Sequence, residues 1–229
     1  MKTIQYKAFF ENQYYSTEVE IKNDHEYLTF ELDGFKFEGS TFHDFEMLNY
    51  NEYRGSKQEK FSINEISCGE KCVAYEICEY KMTVFLPVQI IDFETEEIIY
   101  SEMEMKINSG KSLGRGFIES VWTQLTLNIL GEKIVGEDYD FEGAANKILK
   151  KIKTRFTFRN CFGCKFSDYS YMGSSEFGTM LCFKNQKEKY IKVKSKSDYM
   201  KLDRQDKVVQ EIYVCDEYEI RGNITGYRG

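Results

Sequence analysis

The sequence predicts a mainly β protein of the α+β class, in which an antiparallel, sandwich-like N-terminal region precedes one helix and a small α+β region. Apolar and polar residues alternate through most of residues 4–130, which is typical of half-buried strands. A single amphipathic segment follows, and further alternating runs complete the chain. The 18 Phe and 17 Tyr residues among 229 exclude a disordered chain, because so many rings require a core.

The N-terminal strands are predicted in chain order. Ile4–Phe10 alternates first and is followed by Val19–Ile21, Tyr27–Leu32 and Phe35–Phe37. Asp33-Gly34 separates the last two runs, and this pair accepts the positive φ angles of a type I′ hairpin turn.

Longer strands and one helix complete the prediction. Lys81–Phe93 pairs with Glu97–Ile107 across a turn at Glu94–Glu96, and Trp122–Leu130 alternates again. Asp138 or Asp140 can cap a helix whose apolar residues recur at helical spacing: Phe141, Ala144, Ala145, Ile148, Leu149 and Ile152. Four strands are predicted after it: Arg155–Asn160, Gly178–Lys184, Tyr190–Lys196 and Val208–Cys215.

Charge and loop composition predict two regions. Residues 1–110 contain 10 Lys and Arg against 22 Asp and Glu, a net charge of −12, whereas residues 111–229 contain 21 against 16, a net charge of +5. The stretch Asn108–Gly116 is the candidate boundary because glycine and serine interrupt the apolar pattern there. We predict an acidic β-rich domain at 1–110 and a helix-containing β-rich region at 111–229, with packing as one unit as the alternative.

Neither membrane insertion nor export is expected. No stretch approaches the roughly 20 apolar residues of a membrane span, and the N-terminus lacks the apolar core of a signal peptide. The sequence therefore predicts a cytoplasmic protein. In that reducing compartment the seven cysteines are expected to be thiols or metal ligands rather than disulfides.

Four cysteines in the second half form a candidate metal site. Cys161 and Cys164 have the spacing of a knuckle, a tight turn that directs two thiolates at one ion. Cys182 and Cys215, each in a predicted strand, complete a tetrahedral set. Since no histidine occurs in this half, we predict a closed, structural Zn²⁺ site, which makes the small α+β region zinc-bound. Free buried thiols and a redox-active Cys161–Cys164 pair are the alternatives.

The other three cysteines form a weaker group. Cys68 and Cys72 are separated by three residues, and Cys78 follows closely. A metal site there lacks a fourth ligand unless His25 or His43 approaches, so isolated thiols are the favoured interpretation.

Several stretches of the chain together resemble a known family. They are the run Cys161–Ser170 with Gly173, Phe177-Gly178 and Cys182, and also GFKFEGSTF at 34–42, QEIYVC at 210–215 and TGYRG at 225–229. These stretches resemble a family of uncharacterised bacterial proteins with a domain of unknown function, most specifically over residues 155–229. The family commonly has a proline after SDYS, where Tyr171 and Met172 stand here.

The resemblance carries no activity. It implies that the four cysteines act as a set, and that Asp168, Tyr169, Tyr227 and Arg228 are typical residues without an assigned role. It suggests an ion pair between Arg228 and Asp168. In general type the chain is similar to bacterial toxin-immunity proteins, which are small, cytoplasmic, acidic and rich in aromatic residues.

The motif content favours a binding protein over an enzyme. The sequence contains no nucleophile elbow, phosphate-binding loop, zinc-protease motif or dinucleotide-binding motif. We expect a non-enzymatic protein, of the toxin-immunity type, that occludes a basic partner protein. Five acidic residues are the candidate contacts: Glu94, Glu96, Glu97, Glu102 and Glu104.

Two other functions stay open. A zinc-stabilised nucleic-acid-binding protein could use Lys147–Lys165 together with Lys192, Lys194 and Lys196, which share one face of a predicted strand. The same lysines are also typical of an edge strand protected from pairing. An enzyme is the third candidate and rests only on carboxylates near the cysteines.

Overall fold

The computed structural model describes residues 3–56, 59–69, 72–170, 176–203 and 205–221. Strands in the first half are β1 Ile4–Glu11, β2 Ser16–Asn23, β3 Leu28–Leu32, β4 Phe35–Gly39, β5 Glu46–Met47, β6 Ser62–Gly69, β7 Cys72–Cys78, β8 Tyr80–Asp92 and β9 Ile98–Ser109. Later strands are β10 Ser112–Gly114, β11 Phe117–Ile118, β12 Val121–Ile129, β13 Glu132–Asp138, β14 Phe156–Phe158, β15 Ser167–Asp168, β16 Met180–Cys182 and β17 Lys207–Val209. The α-helices are α1 Tyr50–Ser56, α2 Phe141–Ile152, α3 Lys187–Tyr190 and α4 Lys196–Tyr199, and a 3₁₀ turn covers Lys184–Gln186.

A twelve-stranded sheet dominates the fold. Its order is β13-β12-β9-β8-β1-β2-β3-β4-β5-β7-β6, with β14 added beside β8. Every pairing in it is antiparallel, which confirms the predicted mainly β class. Strands from both sides of residue 110 belong to this sheet, because β9 pairs with β12. The division at residue 110 and the sandwich-like layering stay predictions.

The sheet forks along β8. The first half of β8 pairs with β1 through four residues, from Ala8↔Val84 to Glu11↔Lys81. The last part of β8 pairs instead with β14, and the Arg159 amide donates to the Gln89 carbonyl at 2.8 Å. Between these two partners β1 and β8 are not paired, and the segment 210–214 lies against this opening.

Helix α2 covers the inner face of β12 and β13. The Asp140 carboxylate caps it by accepting from the Gly143 amide at 2.7 Å, which confirms the predicted cap and helix. Gly136 of β13 makes the close approach possible, since a Cβ there would lie 2.1 Å from the Ala144 carbonyl oxygen. The predicted apolar helix face is buried in the core at Phe141, Ala144, Ala145, Ile148 and Ile152.

The local turn prediction at Asp33-Gly34 is confirmed. Their φ angles are 55° and 81°, as a type I′ turn requires, and β3 and β4 pair on either side. The long predicted strands are also confirmed, as β8, β9 and β12.

The predicted strand Tyr190–Lys196 is wrong. Two short helices flank this stretch, and the Ser195 side chain caps the second by accepting from the Asp198 amide. Tyr190 and Val193 are both buried, and this interval of three residues does not fit the alternation of a strand. The predicted strand Val208–Cys215 is too long, because β17 ends at Val209.

Three carboxylates face one another across β4, β5 and β7. Glu38 pairs in register with Glu46, and Glu46 pairs with Glu76. Burial, together with the charges of Asp44 and Glu46, raises the pKa of Glu76 from 4.5 to about 7. The folded chain therefore holds this proton more tightly than the unfolded chain does.

This arrangement predicts a pH-dependent stability. Because the pKa of Glu76 is raised on folding, its protonation contributes to the free energy of unfolding. This contribution is fully present below about pH 4.5 and is lost as the pH rises through 7. We expect Glu76→Gln to stabilise the fold at pH 8 by roughly 1–2 kcal/mol, allowing for partial solvent exposure, and to have little effect at pH 4.5. Urea unfolding at both pH values measures this. Glu65→Gln, at an exposed position of β6, is the control, and an equal effect of both variants would contradict the assignment.

Candidate functional site

The first pair of predicted zinc ligands lies in a tight turn directly after β14. The Cys164 amide donates to the Cys161 carbonyl at 3.2 Å, and the Asn160 side chain accepts from the Gly163 amide at 3.2 Å. A Cβ at Gly163 would lie 2.0 Å from the Phe158 carbonyl oxygen, so the turn requires glycine there. The spacing predicted a tight turn here, and these hydrogen bonds confirm it, whereas the direction of two thiolates at one ion stays a prediction.

The second pair approaches the same turn from two other segments. Cys182 stands on β16 opposite Ser167 of β15. Cys215 lies in a loop rather than in the predicted strand, and its carbonyl accepts from the Tyr218 amide at 3.1 Å. The Cys161 amide donates to the Tyr213 carbonyl at 2.9 Å, which holds the Cys215 segment beside the knuckle.

The four thiols form one electrostatic group. Burial raises the pKa of Cys161 well above its usual value, and charges on Cys164, Cys182 and Cys215 would raise it further. Burial also raises the pKa of Cys182, against a hydrogen bond from the Lys184 backbone amide. In the part of the chain that the structure describes, no set of three or more His, Cys, Asp or Glu side chains is arranged to hold a metal ion.

Lysines that the sequence analysis missed stand beside the thiols. Lys184 interacts electrostatically with Cys182 and Cys215, and Lys187 with Cys164. Both lysines are also paired with carboxylates of the Cys215 loop: Lys184 with Glu217 at 2.7 Å, and Lys187 with Glu219 at 2.9 Å. Lys184 and Lys187 are three residues apart, about one helical turn, which could have indicated that they lie on the same side of a helix. The predicted strand over Gly178–Lys184 hid this pattern.

A buried polar cluster adjoins the knuckle. The Tyr190 hydroxyl donates to the Asp168 carboxylate at 2.7 Å and accepts from the Arg221 guanidinium at 3.2 Å. Arg221 also donates to the Cys164 carbonyl at 3.2 Å and to the Ser167 carbonyl. The buried Asp168 carboxylate therefore accepts a hydrogen bond within this cluster. Tyr227 and Arg228, and the suggested Arg228–Asp168 pair, lie outside the described residues.

The predicted acidic residues lie where β8 turns into β9 and along β9. Glu94 is paired with Arg155 at 3.2 Å, and Glu104 with Lys106 at 3.2 Å. Glu96, Glu97 and Glu102 are exposed, and none has an ion-pair partner among the residues that the structure describes. The five residues therefore divide into two neutralised carboxylates and three available ones.

Exposed apolar side chains accompany these carboxylates. Phe93 is 42% exposed in the turn, and Ile98 and Tyr100 on β9 are 40% and 76% exposed. Leu130, 66% exposed, follows β12, and the Ser101 hydroxyl donates to the Asn128 carbonyl, so both turns stand at the same end of the sheet. We call Phe93, Ile98, Tyr100 and Leu130 with Glu96, Glu97 and Glu102 the acidic-aromatic surface.

Cys68 and Cys72 form a disulfide, so the expectation of thiols is wrong for this pair. They flank the turn of the β6–β7 hairpin, where antiparallel pairing with a register shift brings their Cα atoms to 5.1 Å. Cys78 is a free, buried thiol. His43 has two polar neighbours. Its Nε2 atom lies 3.1 Å from the Thr123 hydroxyl oxygen, and its Nδ1 atom lies 2.9 Å from a Glu176 carboxylate oxygen.

The predicted basic stripe is absent from any strand. Lys192, Lys194 and Lys196 lie in a turn and at the start of α4. Elsewhere in the proposed nucleic-acid surface, Lys147 is paired with Asp138 at 2.8 Å and Lys165 approaches Glu219 at 4.0 Å. Phosphates would have to compete with these carboxylates.

These features define an antiparallel β protein with a set of four cysteine thiols and an exposed acidic-aromatic surface. The chain belongs to a family of unknown function, DUF6304, whose sequence model matches residues 4–167. No curated protein and no solved structure shows a significant match. The resemblance to an uncharacterised family is thereby confirmed. The match includes Cys161 and Cys164 and ends before Cys182, so the longer cysteine motif and the immunity-like type stay predictions. No described helix has the length and apolar character needed to cross a membrane.

Proposed function

We propose that this protein is a non-enzymatic binding protein that occludes a basic partner protein through the acidic-aromatic surface. The observation that carries the proposal is the exposure of Tyr100 and Ile98 between carboxylates that have no ion-pair partner among the described residues. Aromatic anchors supply most of the binding energy in protein interfaces, and surrounding charges steer the encounter. A basic, partly apolar protein surface has the complementary chemistry.

Toxin immunity is the specific form of this proposal. An immunity protein has to cover a toxin's functional surface, and it needs no chemistry of its own. Charges and aromatic rings held at the end of a paired sheet suit that task, because little conformational entropy is lost on binding.

The proposal includes a structural Zn²⁺ held by Cys161, Cys164, Cys182 and Cys215. Three chain segments carry these thiols, and they are joined near the knuckle by the hydrogen bond from the Cys161 amide to the Tyr213 carbonyl and by the pairing of Cys182 with Ser167. Side-chain rotations that bring the four sulfurs to one point would complete the site. Lys184 and Lys187 offset part of the net −2 charge of such a centre.

Nucleic-acid binding is the weaker alternative. On the candidate face Lys147 is paired with Asp138 and Lys165 approaches Glu219, and the expected strand of alternating lysines does not form. A mobility-shift assay at low salt would detect such binding if it occurred.

Metal analysis tests the zinc site. Protein purified without chelator is expected to contain one zinc per chain, and Cys164→Ser is expected to lose both the metal and much of its stability, because metal binding contributes directly to folding. Cys78→Ser, which alters a buried thiol outside the group, should keep the zinc. Wild-type protein that remains folded and metal-free after growth in zinc would contradict the site.

Charge reversal tests the partner surface. The double variant Glu97→Lys, Glu102→Lys is expected to weaken capture of a basic protein from extract at low salt by tenfold or more, because like charges would then face each other. Tyr100→Ala should weaken binding about thirtyfold at all salt concentrations, as removal of an aromatic anchor does.

The matched control for this experiment is Glu18→Lys, Glu65→Lys, which makes the same charge change at exposed positions of β2 and β6. Quantitative mass spectrometry of the captured proteins, followed by titration with the purified partner, gives the comparison. An equal loss of partner binding in both double variants would show that the effect depends only on net charge, and it would contradict a local binding surface.

A further inference from the structure

A cavity of about 340 Å³ opens at the fork of the sheet. Residues of β1, β8 and β9, His25 and the segment 210–214 line it. It exists because β1 pairs with β8 only from Ala8 onward, while β8 continues past Val84 toward β14. The strands that diverge are fixed elsewhere by long ladders, so the opening does not depend on a loop conformation.

One histidine, His25, is the single ionisable side chain other than tyrosine among the described residues that line this cavity. No Asp, Glu, Lys or Arg is among the described residues that line it, although these types are 30% of the chain. Its walls are mostly aliphatic and aromatic, with Ile4, Val88 and Ile212 inside and Tyr100 and Tyr213 at the sides. Such a cavity favours neutral molecules, because an ion would lose its hydration without a partner.

One wall carries a fixed polar network. Asn23 and Gln210, both buried, exchange two amide hydrogen bonds of 2.6 and 2.9 Å. Asn23 also donates to the Tyr6 hydroxyl at 2.6 Å. Burial raises the pKa of Tyr6 to about 12, so this hydroxyl keeps its proton.

The Tyr6 hydroxyl has a hydrogen-bond donor that no described residue uses. Its oxygen accepts from Asn23, and none of the described residues accepts its proton. Tyr6 lines the cavity, and its side chain is 2% exposed. A ligand with one acceptor atom would satisfy this donor while its apolar part filled the remaining volume.

We propose that this cavity is a binding site for a small, uncharged, ring-containing molecule that accepts one hydrogen bond from Tyr6. The aliphatic and aromatic walls bind the ring, and the Asn23–Gln210 pair holds the Tyr6 hydroxyl in position. The site shares Tyr100 with the acidic-aromatic surface but contains none of its carboxylates, so the ligand probes below test it separately from partner binding.

Three probes test the site by the shifts of the Gln210 and Tyr213 backbone amides in NMR titrations. Acetophenone has a ring and an acceptor, benzene has the ring alone, and benzoate has a charge. We expect saturable shifts with acetophenone and benzene, in the millimolar range usual for such small molecules, and at least tenfold weaker binding of benzoate. Absence of saturable shifts with acetophenone, or equal binding of benzoate, would overturn the proposal.

Two variants separate the hydrogen bond from the cavity. Tyr6→Phe should weaken acetophenone binding about threefold to tenfold and leave benzene binding unchanged, because only the donor is removed. Val214→Phe places a ring at a half-buried lining position and should abolish binding of both probes. Tyr15→Phe, which removes a hydroxyl bonded to Asp33, is the control and should change neither. Equal weakening of both probes by Tyr6→Phe would overturn the assigned hydrogen bond.

Discussion

The structure depends on the change of partner along β8. A strand in the middle of a sheet needs a neighbour on each side, because unpaired amide and carbonyl groups are costly to bury. β9 supplies one side of β8 along nearly its whole length, but β1 supplies the other for only four residues. β14 and the Arg159 amide pair with residues 89–92, and the stretch between Val84 and Gln89 borders the opening, so the chain after α2 returns to the sheet there. That return places the knuckle directly beside β8.

The fork also explains why the C-terminal part of the chain packs where it does. Segment 210–214 lies in the opening that β1 and β8 leave, and Gln210 joins the buried amide of Asn23. The next residues carry Cys215 to the knuckle, since the Cys161 and Phe162 amides bond the Tyr213 and Glu211 carbonyls. The same segment of backbone therefore completes the lining of the cavity and carries Cys215 toward the other three cysteines.

Sequence reasoning predicted the parts of the fold that are fixed locally. The β3–β4 turn and the Asp140 cap follow from residue types at two or three positions, and the long ladder of β8 with β9 follows from adjacent alternating runs. The pairing of β1 with β8 joins distant segments and leaves no local signal. Tyr190–Lys196 misled the prediction because alternating lysines suggested a strand, whereas the burial of both Tyr190 and Val193 breaks the alternation. The tight turn at Cys161 and Cys164 was predictable from the spacing of these two cysteines. The apolar side chains around the acidic residues were not, because they become neighbours only through the sheet.

The extent of the family match bears on how these parts work together. The match covers residues 4–167, which include the large sheet, α2 and the knuckle. It ends where β15 begins, and Cys182, Gln210 and Cys215 all follow that point. The ladders of the large sheet contain none of these residues, whereas the four-cysteine set and the cavity lining both include some of them. The acidic-aromatic surface, by contrast, lies wholly within the matched residues. The acidic-aromatic surface therefore lies apart from the later segment, although its Tyr100 also lines the cavity that Gln210 helps to form.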